Sequence, residues 1–142
     1  MRKIEIYDTT LRDGTQAEDF NLSLEDKIRT SKKLDELGIH YIEGGWPGSN
    51  PKDHEFFQRA RDEDWKHAQI CAFGSTRRAT LSPEDDANLR ALIAAGTPTV
   101  SIFGKSWTLH AEVALGVTLE ENLEIIASSL ALCRDNSIIY NT

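Results

Sequence analysis

The chain has 142 residues, of which 39% are hydrophobic and 27% charged, so one globular domain is expected rather than a disordered or fibrous protein. Its formal net charge of −7 argues against nucleic acid as a partner, because no basic stripe is present to neutralise phosphates. No apolar run approaches the roughly 20 residues of a membrane span, and no signal-peptide pattern opens the chain, so a cytoplasmic protein without a membrane partner is predicted.

Short apolar runs alternate along the chain with longer stretches of helical periodicity. The first strand is predicted at residues 3–7. The first helix is predicted to begin after Ser23, with Asp26 completing a capping box, and to end at Gly38. Its inner face is predicted to contain Leu24, Ile28, Ser31, Leu34 and Leu37.

The second and third units follow the same pattern. A strand at residues 40–44 precedes a helix with Pro51 in its first turn. The apolar side of that helix is predicted to contain Phe56, Phe57 and Ala60. A third strand at residues 69–73 precedes a helix that Ser82 and Pro83 are predicted to open. Its apolar residues are Leu89, Leu92 and Ile93, and it is predicted to end at Gly96.

A fourth strand is predicted at residues 99–103. Thr118 and Glu121 then form a capping-box pattern, which predicts a long helix to about Arg134. A fifth strand is predicted to begin at Ile138.

This alternation predicts right-handed βαβ units in a parallel sheet. A doubly wound sheet would normally carry a glycine-rich phosphate turn after its first strand. Residues 8–14 are instead charged, and Gly14 is their one glycine. The α/β fold class is therefore predicted to be a partial (β/α)8 TIM barrel, with about four βα units and the start of a fifth strand. Because a complete barrel needs at least about 200 residues, residues 1–142 are predicted to be the truncated N-terminal half of one barrel domain.

In such a fold, the turns that follow the strands face the active site. Arg12 and Asp13 lie in the first of these turns. Asp13 offers a hard oxygen ligand of the type that Mg²⁺ and Mn²⁺ prefer. Arg12 offers a permanent planar cation for an oxyanion. Taken alone, an Arg-Asp pair is more often a salt bridge or a turn cap, so its context decides.

Residues 7–16 resemble the signature of the pyruvate carboxyltransferase-like, or DRE-TIM metallolyase, family. The family name records an Asp, an Arg and a Glu, which Asp13, Arg12 and Glu43 match. The resemblance continues in residues 43–53 and 102–107 and covers nearly the whole chain. Members include isopropylmalate, homocitrate and citramalate synthases and hydroxymethylglutaryl-CoA lyase. These loops look most like the citramalate synthase branch.

The resemblance implies a metal-assisted acyltransferase that joins acetyl-CoA to an α-keto acid, pyruvate in that branch, in isoleucine and leucine biosynthesis. Asp13 would hold Mg²⁺ or Mn²⁺, and Arg12 would stabilise negative charge on oxygen. Glu43 would orient Arg12 or a metal-bound water, and Gln16 would hydrogen-bond near the substrate. Two aromatic residues after the fourth strand are weaker candidates for the acyl-CoA side: Trp107 and His110.

Family members complete the metal site with a His-x-His pair, but the histidines of this chain are isolated. They are His40, His54, His67 and His110. A single carboxylate does not hold a catalytic metal firmly, so an incomplete site is predicted and catalysis by this chain alone stays open. The alternatives are a catalytically incompetent barrel fragment, or an isopropylmalate synthase, homocitrate synthase or acyl-CoA lyase of the same family. Because a half barrel exposes sheet edges and apolar surface, a homo-oligomer is also predicted.

Overall fold

Five parallel strands follow one another in chain order across a single sheet in the computed structural model, which describes residues 4–136 and 139–141. The strands are β1 (Tyr7–Asp8), β2 (Tyr41–Gly45), β3 (Gln69–Ser75), β4 (Thr99–Phe103) and β5 (Ile139–Asn141). Each pairs with the next in parallel. A doubly wound sheet reverses its strand order at a switch point, whereas a barrel does not. The sequential order therefore confirms the predicted partial barrel.

Four helices connect these strands: α1 (Leu24–Glu36), α2 (Pro51–Ala60), α3 (Ala87–Ala94) and α4 (Leu119–Asp135). A 3-10 turn at Gly14–Gln16 and a π-helical segment at His110–Leu115 complete the secondary structure of the described residues. Among these helices, none combines the length and the apolar character that crossing a bilayer requires.

Side-chain caps set the starts of three helices, and the two capping boxes among them are as predicted. Ser23 accepts a hydrogen bond from the backbone N–H of Asp26, and Thr118 accepts one from that of Glu121; the return bonds complete both capping boxes. Asn50 caps α2 directly before its first-turn proline. Each cap satisfies a backbone N–H that has no partner within its helix.

The predicted start of the third helix is wrong. Ser82 closes a separate turn, in which its hydroxyl accepts the backbone N–H of Asp85 at 3.2 Å. The helix begins at Ala87 because the buried Asp86 accepts the backbone N–H groups of Asn88 and Leu89. Both residue types are good caps, and the one that also satisfies buried backbone groups determines the start.

Two further boundaries differ from prediction. Leu37 does not line the inner face of α1: its exposed fraction is 76%, because the helix ends at Glu36 and Gly38 (φ +84°) then turns the chain. The first strand contains only Tyr7–Asp8 rather than residues 3–7, and residue 3 lies outside the described part. Ile138, the predicted start of the last strand, also lies outside it.

The two faces of the sheet differ in chemistry because successive strand residues point to opposite sides. The helix-covered face is aliphatic and joins helical side chains in one buried cluster. From the strands it takes Ile42, Ile70, Ala72, Val100 and Ile102; from α2 and α3 it takes Phe56, Phe57, Leu89 and Leu92. The opposite face carries Tyr7, Glu43, Cys71, Phe73, Ser101 and Phe103. This second face is the one that a closed barrel would enclose.

Candidate active site

The turn after β1 is fixed by its own backbone. The carbonyl oxygen of Thr9 accepts the N–H groups of Arg12, Asp13 and Gly14 at 3.2, 2.9 and 3.1 Å. Leu11, which lies between Thr9 and Arg12 in the sequence, is completely buried and anchors the turn in the core. The turn therefore holds the side chains of Arg12 and Asp13 at the carboxyl end of the strands.

Arg12, Asp13 and Glu43 meet at this end of the sheet. The Nε of Arg12 donates to Oε2 of Glu43 at 2.6 Å, and its Nη1 donates to Oδ1 of Asp13 at 2.9 Å. Glu43 is 1% exposed, whereas the side chains of Arg12 and Asp13 are 20% and 61% exposed. The guanidinium thus joins a buried carboxylate, whose charge it balances, to a carboxylate at the surface.

Tyr7 engages the second oxygen of Glu43. Its hydroxyl lies 2.7 Å from Oε1 of Glu43 and 3.3 Å from Sγ of Cys71. Burial, together with the neighbouring Cys71 and Glu43, raises the pKa of the Tyr7 hydroxyl far above its ordinary value. Burial also raises the pKa of Cys71 to about 12. At neutral pH, Tyr7 is therefore a hydrogen-bond donor and Cys71 is an unreactive thiol.

An aromatic wall covers one side of the guanidinium. Cζ of Arg12 lies 3.9 Å from the ring centroid of Phe73, which stacks on Phe103 at 5.6 Å. Trp46 packs edge-on against both rings, and its indole Nε1 donates to Oδ1 of Asn88 at 2.6 Å. The cation–π contact and the stacking restrict the guanidinium plane. We call Trp46, Phe73 and Phe103 the aromatic wall.

The loop after Glu43 is held by a buried ion pair. Asp53 accepts Nζ of Lys27 at 2.5 Å and the backbone N–H of Trp46 at 2.9 Å. Burial lowers the pKa of Lys27, and the bond to Asp53 opposes that shift. Gly45 lies against this carboxylate with φ +146°, where a Cβ would stand 2.6 Å from Cγ of Asp53. Only glycine fits there, and the sheet register shifts between Glu43 and Gly45.

Three other predicted site residues do not join this cluster. Gln16 is exposed in the 3-10 turn, and its side chain makes no hydrogen bond to any residue the structure describes. Trp107 and His110 contact each other, with ring centroids 4.7 Å apart, and both are exposed. Within the described residues, neither contacts Arg12 or Glu43.

One carboxylate at this end has the chemistry of a metal ligand. Oδ1 of Asp13 is held by Arg12, and its exposed Oδ2 remains available as a hard oxygen donor for Mg²⁺ or Mn²⁺. No group of three His, Cys, Asp or Glu side chains suited to a metal occurs in residues 4–136 and 139–141. Asp13 therefore fits as one ligand of such an ion, and no complete set of protein ligands accompanies it in the described residues.

Sequence reasoning missed Tyr7 and Phe73. Both lie on the sheet face of Glu43: Tyr7 pairs with Tyr41, two residues before Glu43, and Glu43 pairs with Cys71, two residues before Phe73. The period of two along each strand was the available signal. This alternation shows which residues share a face only when the pairing of residues between neighbouring strands is also known.

Comparison with known proteins gives a consistent result. The HMGL-like family model matches residues 3–141. The (R)-citramalate synthase of Geobacter sulfurreducens is 57% identical over 136 residues, which are 96% of this chain and 26% of that protein. The 2-isopropylmalate synthase of Acetivibrio thermocellus is 37% identical over 131 residues, which are 92% of this chain and 24% of that protein. The chain spans about a quarter of the length of these curated relatives.

A solved structure resembles the fold. The HMG-CoA lyase of Bacillus subtilis superimposes with a TM-score of 0.70 at 21% sequence identity. The match covers 97% of this chain and 45% of the lyase chain. At this identity the likeness concerns the fold alone.

Proposed function

Because this chain belongs to the HMGL-like family, we propose that it supplies the first part of the active site of an (R)-citramalate synthase, an acyltransferase that condenses acetyl-CoA with pyruvate. The observation that carries the proposal is the bonded convergence of Arg12, Asp13 and Glu43 at the carboxyl end of the parallel strands. The greater identity to a citramalate synthase, 57% against 37% for a 2-isopropylmalate synthase, favours this branch. The 45% coverage of the lyase chain supports residues 1–142 as the N-terminal half of a TIM-barrel domain.

Arg12 is proposed to stabilise the negative charge that forms on oxygen when the acetyl carbon attacks the keto group. Its Nε and Nη1 are occupied by Glu43 and Asp13, while Nη2 makes no hydrogen bond within the described chain. That nitrogen is therefore available to a substrate oxygen. A preorganised donor of this kind typically contributes about 3–4 kcal/mol to transition-state stabilisation.

Glu43 is proposed to position Arg12 rather than to transfer a proton. Both of its carboxylate oxygens are engaged, one by Arg12 and one by Tyr7, and the side chain is almost fully buried. Neither carboxylate oxygen of Glu43 is left without a partner to accept a proton from the substrate. The proton of the acetyl methyl group is therefore assigned to a base other than Glu43.

Asp13 is proposed as one ligand of Mg²⁺ or Mn²⁺, an ion that supplies Lewis-acid polarisation of a keto carbonyl when it is bound. The bond from Arg12 orients the Asp13 carboxylate and leaves Oδ2 free. Gln16 stays proposed for a hydrogen bond near the substrate, and Trp107 and His110 stay proposed for the acyl-CoA side; all three are exposed.

The aromatic wall supports pyruvate as the keto acid. Phe73 covers one face of the Arg12 guanidinium and is backed by the stacked ring of Phe103, so the two rings limit the space on that side. A methyl group demands less of that space than the branched side chain of the isopropylmalate reaction. A role in isoleucine and leucine biosynthesis, a cytoplasmic location and a homo-oligomeric state all stay predictions.

The proposal is tested by release of the coenzyme A thiol from acetyl-CoA. We expect the full-length protein to release thiol only with pyruvate and Mg²⁺ present, and Asp13→Asn to reduce the rate at least about 100-fold. Asp19→Asn is the matched control, since Asp19 lies in the same connection with φ 62°, a conformation that asparagine also adopts.

Circular dichroism of the variants verifies that the fold is retained. Folded full-length protein without turnover would contradict the proposal. Turnover by the full-length protein but not by folded residues 1–142 alone would favour a catalytically incompetent barrel fragment. Faster turnover with the keto acid of the isopropylmalate reaction would favour that synthase instead.

A further inference from the structure

We propose that Tyr7 is a positioning residue for Arg12 and acts through Glu43. The hydroxyl of Tyr7 holds one carboxylate oxygen of Glu43 at 2.7 Å while the other oxygen holds Nε of Arg12 at 2.6 Å. The carboxylate is thereby held through both of its oxygens, and its orientation fixes the direction of the guanidinium. The kinetic part of this proposal rests on the proposed function.

The hydroxyl has one proton, for which the carboxylate of Glu43 and the sulfur of Cys71 compete; the neighbouring Ser101 is a donor to the phenol oxygen. The carboxylate of Glu43 is the closer acceptor, at 2.7 Å against 3.3 Å for the sulfur of Cys71, and its charge makes it the stronger one. Cys71 is therefore left to donate, and its Sγ lies 3.7 Å from the carbonyl oxygen of Ala72. The proton of Tyr7 thus belongs to the bond with Glu43.

Three strands contribute to the arrangement. Tyr7 lies on β1, Glu43 on β2 and Cys71 on β3, all on the sheet face that carries the aromatic wall. The guanidinium of Arg12 is held in its plane by Glu43 and over its face by Phe73. Without the phenol, one buried oxygen of Glu43 has no partner, so the carboxylate rotates or admits water. Arg12 then loses its fixed direction.

Substitution of Tyr7 by phenylalanine removes the hydroxyl and keeps the ring. In the full-length enzyme, we expect Tyr7→Phe to lower kcat about 10-fold, as loss of a supporting hydrogen bond typically does, with KM for acetyl-CoA changed less than about twofold. Tyr41→Phe is the matched control: Tyr41 lies on the neighbouring strand with its ring 6.1 Å from that of Tyr7, and its hydroxyl donates to Glu5. We expect it to leave kcat unchanged.

A double-mutant cycle separates positioning from a merely structural role. If Tyr7 acts through Arg12, Tyr7→Phe has less than about a twofold effect on kcat in an Arg12→Lys background, because the geometry it fixes is already lost. A full 10-fold loss in that background would overturn the proposal.

A second measurement requires no turnover. Modification of Arg12 by phenylglyoxal, followed by mass spectrometry of its peptide, reports how firmly the guanidinium is held. We expect Tyr7→Phe to accelerate the modification at least about threefold and Tyr41→Phe to leave it unchanged. An unchanged rate in Tyr7→Phe would overturn the positioning role. Absence of turnover in wild-type protein would count against the proposed function alone.

Discussion

Two buried carboxylates at opposite ends of the strands show how this fold separates function from stability. Glu43 lies at the carboxyl end and is 1% exposed; Asp35 lies at the other end, in α1, and is 4% exposed. Asp35 accepts three backbone N–H groups, those of Lys66, His67 and Ala68, at 2.9, 2.8 and 2.7 Å. Glu43 is bound instead by a guanidinium and a phenol.

The difference lies in what each acid orders. Backbone partners fix the path of the chain, so Asp35 holds the connection into β3 in place. Side-chain partners fix the direction of a reactive group, so Glu43 directs Arg12. A second side chain at the amino end of the strands also binds backbone: Nδ1 of His40 accepts the N–H of Ile6 at 3.1 Å. Parallel α/β enzymes place their chemistry at the carboxyl ends of the strands and conserve the other end for stability.

The largest expected effect tests the active end. Arg12→Lys keeps the charge but loses the planar set of donors that joins Glu43, Asp13 and the substrate. We expect kcat/KM to fall about 10³-fold in the full-length enzyme, with a melting temperature within about 3 °C of wild type. Steady-state thiol release and calorimetry measure the two quantities. A melting temperature lowered by about 10 °C would assign Arg12 a role in stability and contradict the separation of roles between the two ends.

The next effect tests the opposite end. Asp35→Asn retains the shape of the side chain but offers one acceptor oxygen to three backbone N–H groups. We expect the free energy of unfolding to fall by about 2–3 kcal/mol, with kcat per folded molecule unchanged. Urea denaturation measures the first. Asp64→Asn, at an exposed position in the same connection, is the matched control and is expected to be neutral. Loss of kcat in folded Asp35→Asn would contradict the separation of roles.

A smaller effect is expected from the aromatic wall at the active end. Phe103→Leu removes the ring that stacks on Phe73 and opens space beside Phe73, the ring that covers the guanidinium. We expect the ratio of kcat/KM for 2-oxobutyrate to that for pyruvate to rise about 10-fold, in the range that one methylene contributes to a binding site. Leu123→Ala, at an exposed position on α4, is the control and should leave the ratio unchanged. An unchanged ratio in Phe103→Leu would exclude the aromatic wall from keto-acid selection.

The smallest expected effect concerns pH. Burial by itself raises the pKa of Asp35, but the three backbone N–H groups outweigh it and hold that pKa below its ordinary value. A lowered pKa stabilises the folded state above the unfolded-state value near 3.9, and this contribution is lost as pH falls through the folded-state value. The wild-type advantage over Asp35→Asn in melting temperature should therefore shrink below about pH 4. An advantage that grows on acidification would contradict the assignment.

Much of the fold follows from local chemistry in the sequence. Ser23 and Thr118 start helices because their side chains satisfy orphan backbone N–H groups. Gly38 ends helix α1 because it adopts a positive φ. The strand order follows from the βα period, and the interval from Arg12 to Glu43 predicts their meeting because it spans one such unit.

The errors arise where tertiary contacts decide between similar local signals. Ser82 and Asp86 are both cap residues, and burial selects Asp86. The π-helical segment His110–Leu115 has no signal in the apolar pattern, since its hydrogen bonding differs from that of the α-helix. Tyr7 lies in a two-residue strand, too short for its facing direction to be read from alternation alone.

The fate of the acetyl methyl carbon shows whether this active-site end belongs to a condensing acyltransferase. The full-length protein is supplied with acetyl-CoA labelled with ¹³C in the methyl group, together with unlabelled pyruvate and Mg²⁺, and the products are identified by NMR. We expect the label in a methylene carbon of a five-carbon 2-hydroxy dicarboxylate, in an amount equal to the thiol released. Label recovered only as acetate, or only as unreacted acetyl-CoA, would contradict it.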